Sequence, residues 1–346
     1  MVQLAADVTA YLHRREVVAY EQRLARAAYA YAYGVDLRRS AWLASSTFGD
    51  PLIRSVDRNW NELVADLSGS ILQDPARTAP MPIMEEIARL SHMLRAPLPA
   101  LRQLVRSSAI TNWPLVTPLG TTRGAVQWLV VDSERLMSLP PHERTFLLAS
   151  ALADLQCEHA PVVTAHLMAY RADRGLGFVR TLLRPWAKVG IFSSDRAGLL
   201  GVADLGLAMS ALRAHAEPIA SWMPAHASLQ MREPALADFD RSSTMARLRL
   251  LLQRQTQAAE GEAPTVGPPT RVAASEETEA EASTDDHDDD GPARDPGERS
   301  DPYRHAAKPP QPEPPPDHDE ELARALAGAW SLARCDARLT RRLGLL

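Results

Sequence analysis

The chain has 346 residues with a formal net charge of −5, and its hydrophobic residues are mostly Leu, Ala and Val rather than aromatic. That length exceeds the ~100–150 residues usual for one domain, yet no run approaches the ~20 uncharged apolar residues that span a bilayer, so membrane insertion is not expected. The charge is segregated: residues 260–321 carry 19 Asp and Glu against 5 Arg and Lys, which leaves the rest of the chain basic.

In chain order, apolar positions from Val2 to about Ala44 recur at helical spacing (Leu4, Val8, Tyr11, Leu12, Val17, Val18, Leu24), which predicts a long amphipathic helix or a helix pair. Tyr29, Tyr31 and Tyr33 alternate as in a strand, but their alanine-rich surroundings favour helix. Further helices are expected over Asp57–Leu72 and from Pro82 through Met93, where Pro97 and Pro99 end the second. Three short strands, Leu101–Val105, Trp113–Thr117 and Val126–Val131, predict one small sheet. Pro140 and Pro141 suit the first turn of a helix over Arg144–Gln156. Because Phe146, Leu147, Leu148, Ala151, Leu152 and Leu155 cover nearly every side of it, that helix belongs in the core. Helices over Val162–Leu183 and Asp195–His215 complete the expected body, residues 1–255.

Residues 256–319 are dominated by Pro, Glu, Asp, Ser and Ala, with Asp285–Asp290 almost wholly acidic, and cannot bury enough apolar surface to offset the entropy of ordering; disorder is expected. From Glu320 to Leu346 helical character returns, acidic at its start and with Arg341 and Arg342 near its end. There Leu322, Leu326, Ala329, Trp330 and Ala333 form one apolar stripe. Two uses of this helix are equally open. It binds a partner through Leu326 and Trp330 with Arg334 and Arg338 as a basic rim, or it docks back onto the body.

The N-terminus shows no basic segment followed by an apolar one, so a cytoplasmic protein is expected. Cys157 and Cys335 sit in unrelated segments and suggest neither a disulfide framework nor a Cys-based zinc site. No dense basic run with interleaved aromatics marks a nucleic-acid groove.

One ordered set of features stands out: Val130-Val131, Leu136 and Leu139, Glu143 opening the buried helix, then His159, Trp186, and the run Ser194-Asp195-Arg196-Ala197-Gly198-Leu199-Leu200. Over roughly residues 84–215 this resembles the HtpX and CAAX-prenyl-protease family of zinc metallopeptidases, gluzincins whose HExxH helix follows such a strand and whose later helix carries an Ala-Asp-Arg-Ala-Gly-Leu type motif. The resemblance implies an α+β, mainly helical fold with a zincin-like core and one small sheet. His159, Trp186, Asp195, Arg196 and Gly198 are the motif residues retained. Aligned on His159, the HExxH positions fall on Ser150, Ala151, Leu152, Ala153 and Asp154, and the third-ligand glutamate falls on Ile191. Thus the ligand histidines become Ser150 and Asp154, the general base becomes Ala151, and the last ligand becomes Ile191.

One carboxylate, one hydroxyl and two alkyl groups cannot build the three-ligand site that catalytic zinc requires, and without a carboxylate at Ala151 nothing takes the proton from an attacking water. The chain is therefore expected to hold no cofactor and to be a catalytically inactive binding or scaffolding module with a protein partner. An active zinc endopeptidase with unusual ligands, or another enzyme on the refilled scaffold, are the alternatives. A relocated metal site would draw on His159 and His166 with Asp154 or Glu158, and Asp195 and Arg196 are expected to bond locally or as an ion pair. Ser150 has no His and acid partners close in sequence and is a poor nucleophile.

Overall fold

The computed structural model describes residues 31–38, 49–70, 72–73, 81–104, 113–121, 126–171, 177–216, 223, 226–261 and 318–344. After a helical turn at 34–38 come α1 (Gly49–Ser70), β1 (Leu72–Gln73), α2 (Met81–Leu94), β2 (Ala100–Leu104), β3 (Val116–Gly120) and β4 (Gln127–Val131). The helices α3 (Ser133–Met137), α4 (Pro141–Gln156), α5 (Ala160–Arg171), α6 (Gly177–Val202), α7 (Leu205–Ala214), α8 (Leu229–Asp240) and α9 (Ser243–Gly261) follow, and α10 (His318–Leu326) and α11 (Leu332–Arg342) close the chain. Among the described residues the fold is mainly helical with one small sheet, as the composition of the body implied. No helix among them is long and apolar enough to cross a membrane.

The sheet runs β1-β2-β4-β3. β2 and β4 are parallel, Leu101 opposite Leu129, while β3 runs antiparallel to β4 and forms an edge. Side chains of β4 alternate between two clusters. Leu129 and Val131 join the main core around α4, whereas Trp128 and Val130 join Trp60, Leu63 and Leu67 of α1 and Val163 and Leu167 of α5. A strand covered on both faces reads as the unbroken apolar run Trp128–Val131, with Trp60 edge-on to Trp128 at 5.2 Å.

At the centre lies α4, which buries Phe146, Leu148, Ala149, Ala151, Leu152, Ala153 and Leu155 and touches α2, α6, α7, β3 and β4. Its closest neighbour, α6, meets it with small residues. A Cβ on Gly198 would lie 2.5 Å from the Phe146 ring and one on Gly201 would lie 2.9 Å from Ala149 Cβ, so only glycine lets the two helices approach this closely. The motif glycine is thus a packing residue.

Several expectations are corrected. Tyr31 and Tyr33 lie in neither helix nor strand, and their rings are buried beside the turn at 34–38. The second strand is displaced to Val116–Gly120, and Leu72–Gln73 adds a fourth. The helix foreseen over 162–183 is two, α5 ending at Arg171 and α6 beginning at Gly177. The helix foreseen from Asp195 actually ends at Val202, where Ala203 turns left-handed (φ 62°) and Asp204 caps α7 by accepting the Leu207 amide at 2.8 Å. Asp195 resembles a helix opener in sequence but sits mid-helix, its carboxylate drawn elsewhere. Of the helix expected from Val2 to about Ala44, residues 1–30 and 39–44 lie outside the described residues, as do 262–317 of the segment expected to be disordered over 256–319; residues 256–261 instead continue α9 and 318–319 open α10.

The C-terminal stripe is split rather than continuous, because Gly328 (φ 79°) ends α10 and the Ser331 side chain caps α11. This segment docks on the body. Trp330 exchanges backbone hydrogen bonds with Arg241 and Ser243 at 2.8 Å each, and Arg338 and Arg342 reach Asp238 at 3.1 and 2.7 Å. Cys335 and Leu339 are buried, and the guanidinium of Arg334 lies 4.2 Å from the Trp330 ring centre. Of the two uses left open, the described contacts are those of docking, and Trp330 and Arg338 are engaged in it; Arg334 is exposed and lies on the Trp330 ring within the segment, and Leu326 is half-buried on α10.

Candidate functional site

One cavity of about 180 Å³ opens between α4, α6, edge strand β3 and the Met223–Arg232 region. Ser150, Ala151 and Asp154 reach it from one face of α4, because positions four apart on a helix are neighbours, and Ile191 reaches it from α6. The four positions to which the resemblance assigns metal ligands and base therefore line the same space. Leu115, Val116, Phe146, Leu147 and Val163 make its walls mostly apolar. Ser150 Oγ donates to the Ser194 carbonyl at 3.0 Å, so its proton points to no base.

The floor is a charged network that local sequence did not announce. Glu158 adopts a left-handed conformation (φ 59°) just after α4, and the His159 amide bonds back to the Asp154 carbonyl at 2.8 Å. The imidazole is thereby turned beneath the helix end. Its Nδ1 lies 2.9 Å from Asp154 Oδ1, and its Nε2 lies 2.9 Å from both oxygens of Asp36. Ser193 donates to Asp36 and Ser194 to Asp154, each at 2.5 Å, while the Tyr33 amide donates to Ser193 Oγ at 3.0 Å. Gly190 makes room for the ring, since a Cβ there would stand 3.0 Å from His159 Cε1.

Burial works against charge on His159, but the adjoining Asp36 carboxylate, with hydrogen bonds from the ring to Asp154 and Asp36, outweighs it and holds the pKa near 10. His159 is thus an imidazolium with both nitrogens donating. Cys157 belongs to the same cluster, its Sγ within 4.8 Å of ligand atoms of Asp36 and His159. Burial, then the nearby carboxylates, push its thiol pKa well up. Asp, Cys and His are donor types suited to zinc, but here both ring nitrogens carry protons and the sulfur is a thiol, so a metal would have to displace protons the site holds tightly. Of the relocated set, His159 and Asp154 meet, but His166 is buried on α5 and does not line the cavity, and Glu158 is a turn residue.

Asp195 and Arg196 form ion pairs over long distances rather than local bonds. Arg232 of α8 grips Asp195 with Nε and Nη2 at 2.9 and 2.7 Å and gives Nη1 to the Ala216 carbonyl. Arg196, 2% exposed, lies between the Tyr33 and Phe239 rings, donates to the Tyr31 carbonyl and sits 2.8 Å from Asp336 of α11. Trp186 is on α6, seen only as part of that helix. His226 also faces the cavity; burial first, then Arg232, lower its pKa, which keeps it neutral. Asp36, Ser193, Arg232 and His226 were not foreseen. Asp36 stands 123 positions from His159, and no spacing rule links them.

The edge strand completes the site. Since the Asp132 amide bonds to the Leu115 carbonyl and the Thr121 amide to the Val126 carbonyl, odd-numbered residues of β3 face β4 and even-numbered ones face outward. Of the outward set, Gly120 is satisfied at both N–H and C=O by Thr164 of α5, and Pro118 has no N–H. Val116 keeps both backbone groups outward and Pro118 its carbonyl, and both residues line the cavity. Comparison with family models, curated proteins and solved structures finds no match for this chain.

Proposed function

We propose that this protein is a catalytically silent, metallopeptidase-like binding module that holds an extended polypeptide segment against β3. The supporting observation is the convergence of Ser150, Ala151, Asp154 and Ile191 on one cavity beside an edge strand whose outward groups at Val116 have no partner among the described residues. An extended segment adding to that edge would gain main-chain hydrogen bonds from Val116 and Pro118 and would drop one side chain into the cavity. Chemistry on that segment lacks its parts. Ala151 carries no carboxylate where the resemblance puts the base, Asp154 is tied to His159 and Ser194 through Oδ1, Ser150 is bonded to a carbonyl, and the cation on the floor is an imidazolium held by two carboxylates rather than an ion with an open coordination position. The HtpX and CAAX-prenyl-protease resemblance enters here as the source of the expected positions.

The test is a peptide-array screen with the full chain, followed by mass spectrometry of the eluted peptides. The expected result is retention of extended peptides, recovered uncut, and loss of retention in Ile191→Trp, which fills the cavity. Peptides recovered as fragments in a chelator-sensitive manner would favour the active zinc endopeptidase instead.

A further inference from the structure

The cavity has a sharply one-sided hydrogen-bonding inventory. Its hydroxyl and guanidinium donors are spent: Ser150 on the Ser194 carbonyl, Ser194 on Asp154, and Arg232 on Asp195 and the Ala216 carbonyl. Its acceptors are not. Asp36 uses both oxygens and is almost fully covered, but Asp154 bonds only through Oδ1, and its side chain is 23% exposed. Among the described residues Asp154 Oδ2 has no partner. His226 adds a second vacancy, since its Nδ1 is buried without a hydrogen-bond partner among those residues. Asp154 Oδ2 is thus open to the cavity and His226 Nδ1 is buried beside it, an acceptor when the neutral ring carries its proton on Nε2, so the lining offers places for donors rather than for acceptors. Charge agrees with this: Asp36, Asp154 and Asp195 outnumber the cations His159 and Arg232 on the lining.

Size and walls narrow the ligand further. About 180 Å³ compares with the ~150 Å³ cavity that holds a single benzene, so one side chain fits and a folded segment does not. The walls around the carboxylate, Leu115, Val116, Phe146, Leu147 and Val163, suit an aliphatic stem. An ammonium on such a stem matches apolar walls and a lone open carboxylate oxygen, whereas a guanidinium brings five donors to a site with two open acceptors.

Resting on the reading above, we infer that the cavity takes the side chain of a lysine in the bound segment, with the stem along the apolar walls and the ammonium on Asp154 Oδ2. Selection is then for lysine over an uncharged isostere of equal length and strongly against an acidic side chain.

Binding of capped five-residue alanine peptides with a central Lys, norleucine or Glu to the full chain, measured by calorimetry at low salt, tests this. The lysine peptide should bind at least about tenfold tighter than the norleucine peptide, the glutamate peptide should not bind, and n-butylamine should compete with the lysine peptide. Asp154→Asn should remove the lysine advantage. Because that residue also supports His159, His226→Ala serves as the second variant and should weaken lysine binding by a few fold while the chain stays folded. Norleucine bound as tightly as lysine would overturn the inference and leave strand binding standing. Butylamine binding while none of the peptides binds would uphold the ammonium site and sink the strand reading, and no binding by any probe would sink both.

Discussion

His159 Nε2 lies 2.9 Å from both carboxylate oxygens of Asp36, a residue 123 positions earlier, and this pair with Asp154 forms the floor of the cavity. A cation held between two acids has much Coulombic support, but its value to the fold shows when it is removed. His159→Leu leaves Asp36 and Asp154 without their shared cation and should cost about 3–5 kcal/mol in urea denaturation. Adding Asp36→Asn and Asp154→Asn should recover part of that loss. A single variant as stable as wild type would mean the network contributes nothing to folding.

The same contact predicts a pH dependence. The folded pKa of His159, near 10, is above its ordinary 6.5, so its contribution is fully present below pH 6.5 and is lost as pH rises through 10. Across that window stability should decline by up to about 1.4 kcal/mol per pH unit from this group. Thermal melts from pH 6.5 to 10 should therefore show a falling Tm in wild type and a flatter profile in His159→Leu. Parallel profiles would contradict the assignment.

Close approach of α4 and α6 depends on Gly198. Gly198→Ala puts a methyl within 2.5 Å of the Phe146 ring and should destabilise by about 1–3 kcal/mol through overpacking. Phe146→Leu, which frees space at that point, should reverse part of the effect in the double variant. Simple additivity of the two losses would show that the ring is not what excludes the methyl.

Docking of the C-terminal segment can be tested by truncation. Deleting residues 318–346 removes the Asp336 partner of Arg196, both arginines on Asp238, and the cover provided by Leu339 and Cys335. The Tm of the remaining body should fall by more than about 5 °C. An unchanged melt would reduce the docked helices to a passive appendage.

What sequence could reveal followed from local regularity. The central helix was legible because its apolar residues surround it, and the small sheet because Trp128–Val131 is buried on both faces. That Ser150, Asp154 and Ile191 share a cavity was an expectation of the family resemblance; spacing alone relates only Ser150 to Asp154, four apart on one helix. Asp36–His159 and Asp195–Arg232 were not, since each joins residues whose separation is set by tertiary packing alone. Asp195 misled most directly: a helix was expected to begin there, yet it sits within α6, the next helix is capped by Asp204, and the Asp195 carboxylate is spent on a buried arginine. In the tail, the apolar stripe was read through Gly328, whose left-handed backbone breaks the helix in two.

The measurement that bears most directly on the central claim is the zinc content of the purified full chain, determined by elemental analysis alongside a thermal melt with and without chelator. With His159 donating from both nitrogens and Ala151 and Ile191 where a base and a ligand would be needed, zinc should be well below one per chain and the melt indifferent to chelator. One tightly held zinc per chain, with a melt that drops when it is stripped, would contradict a silent binding module and reinstate a metal-dependent protein.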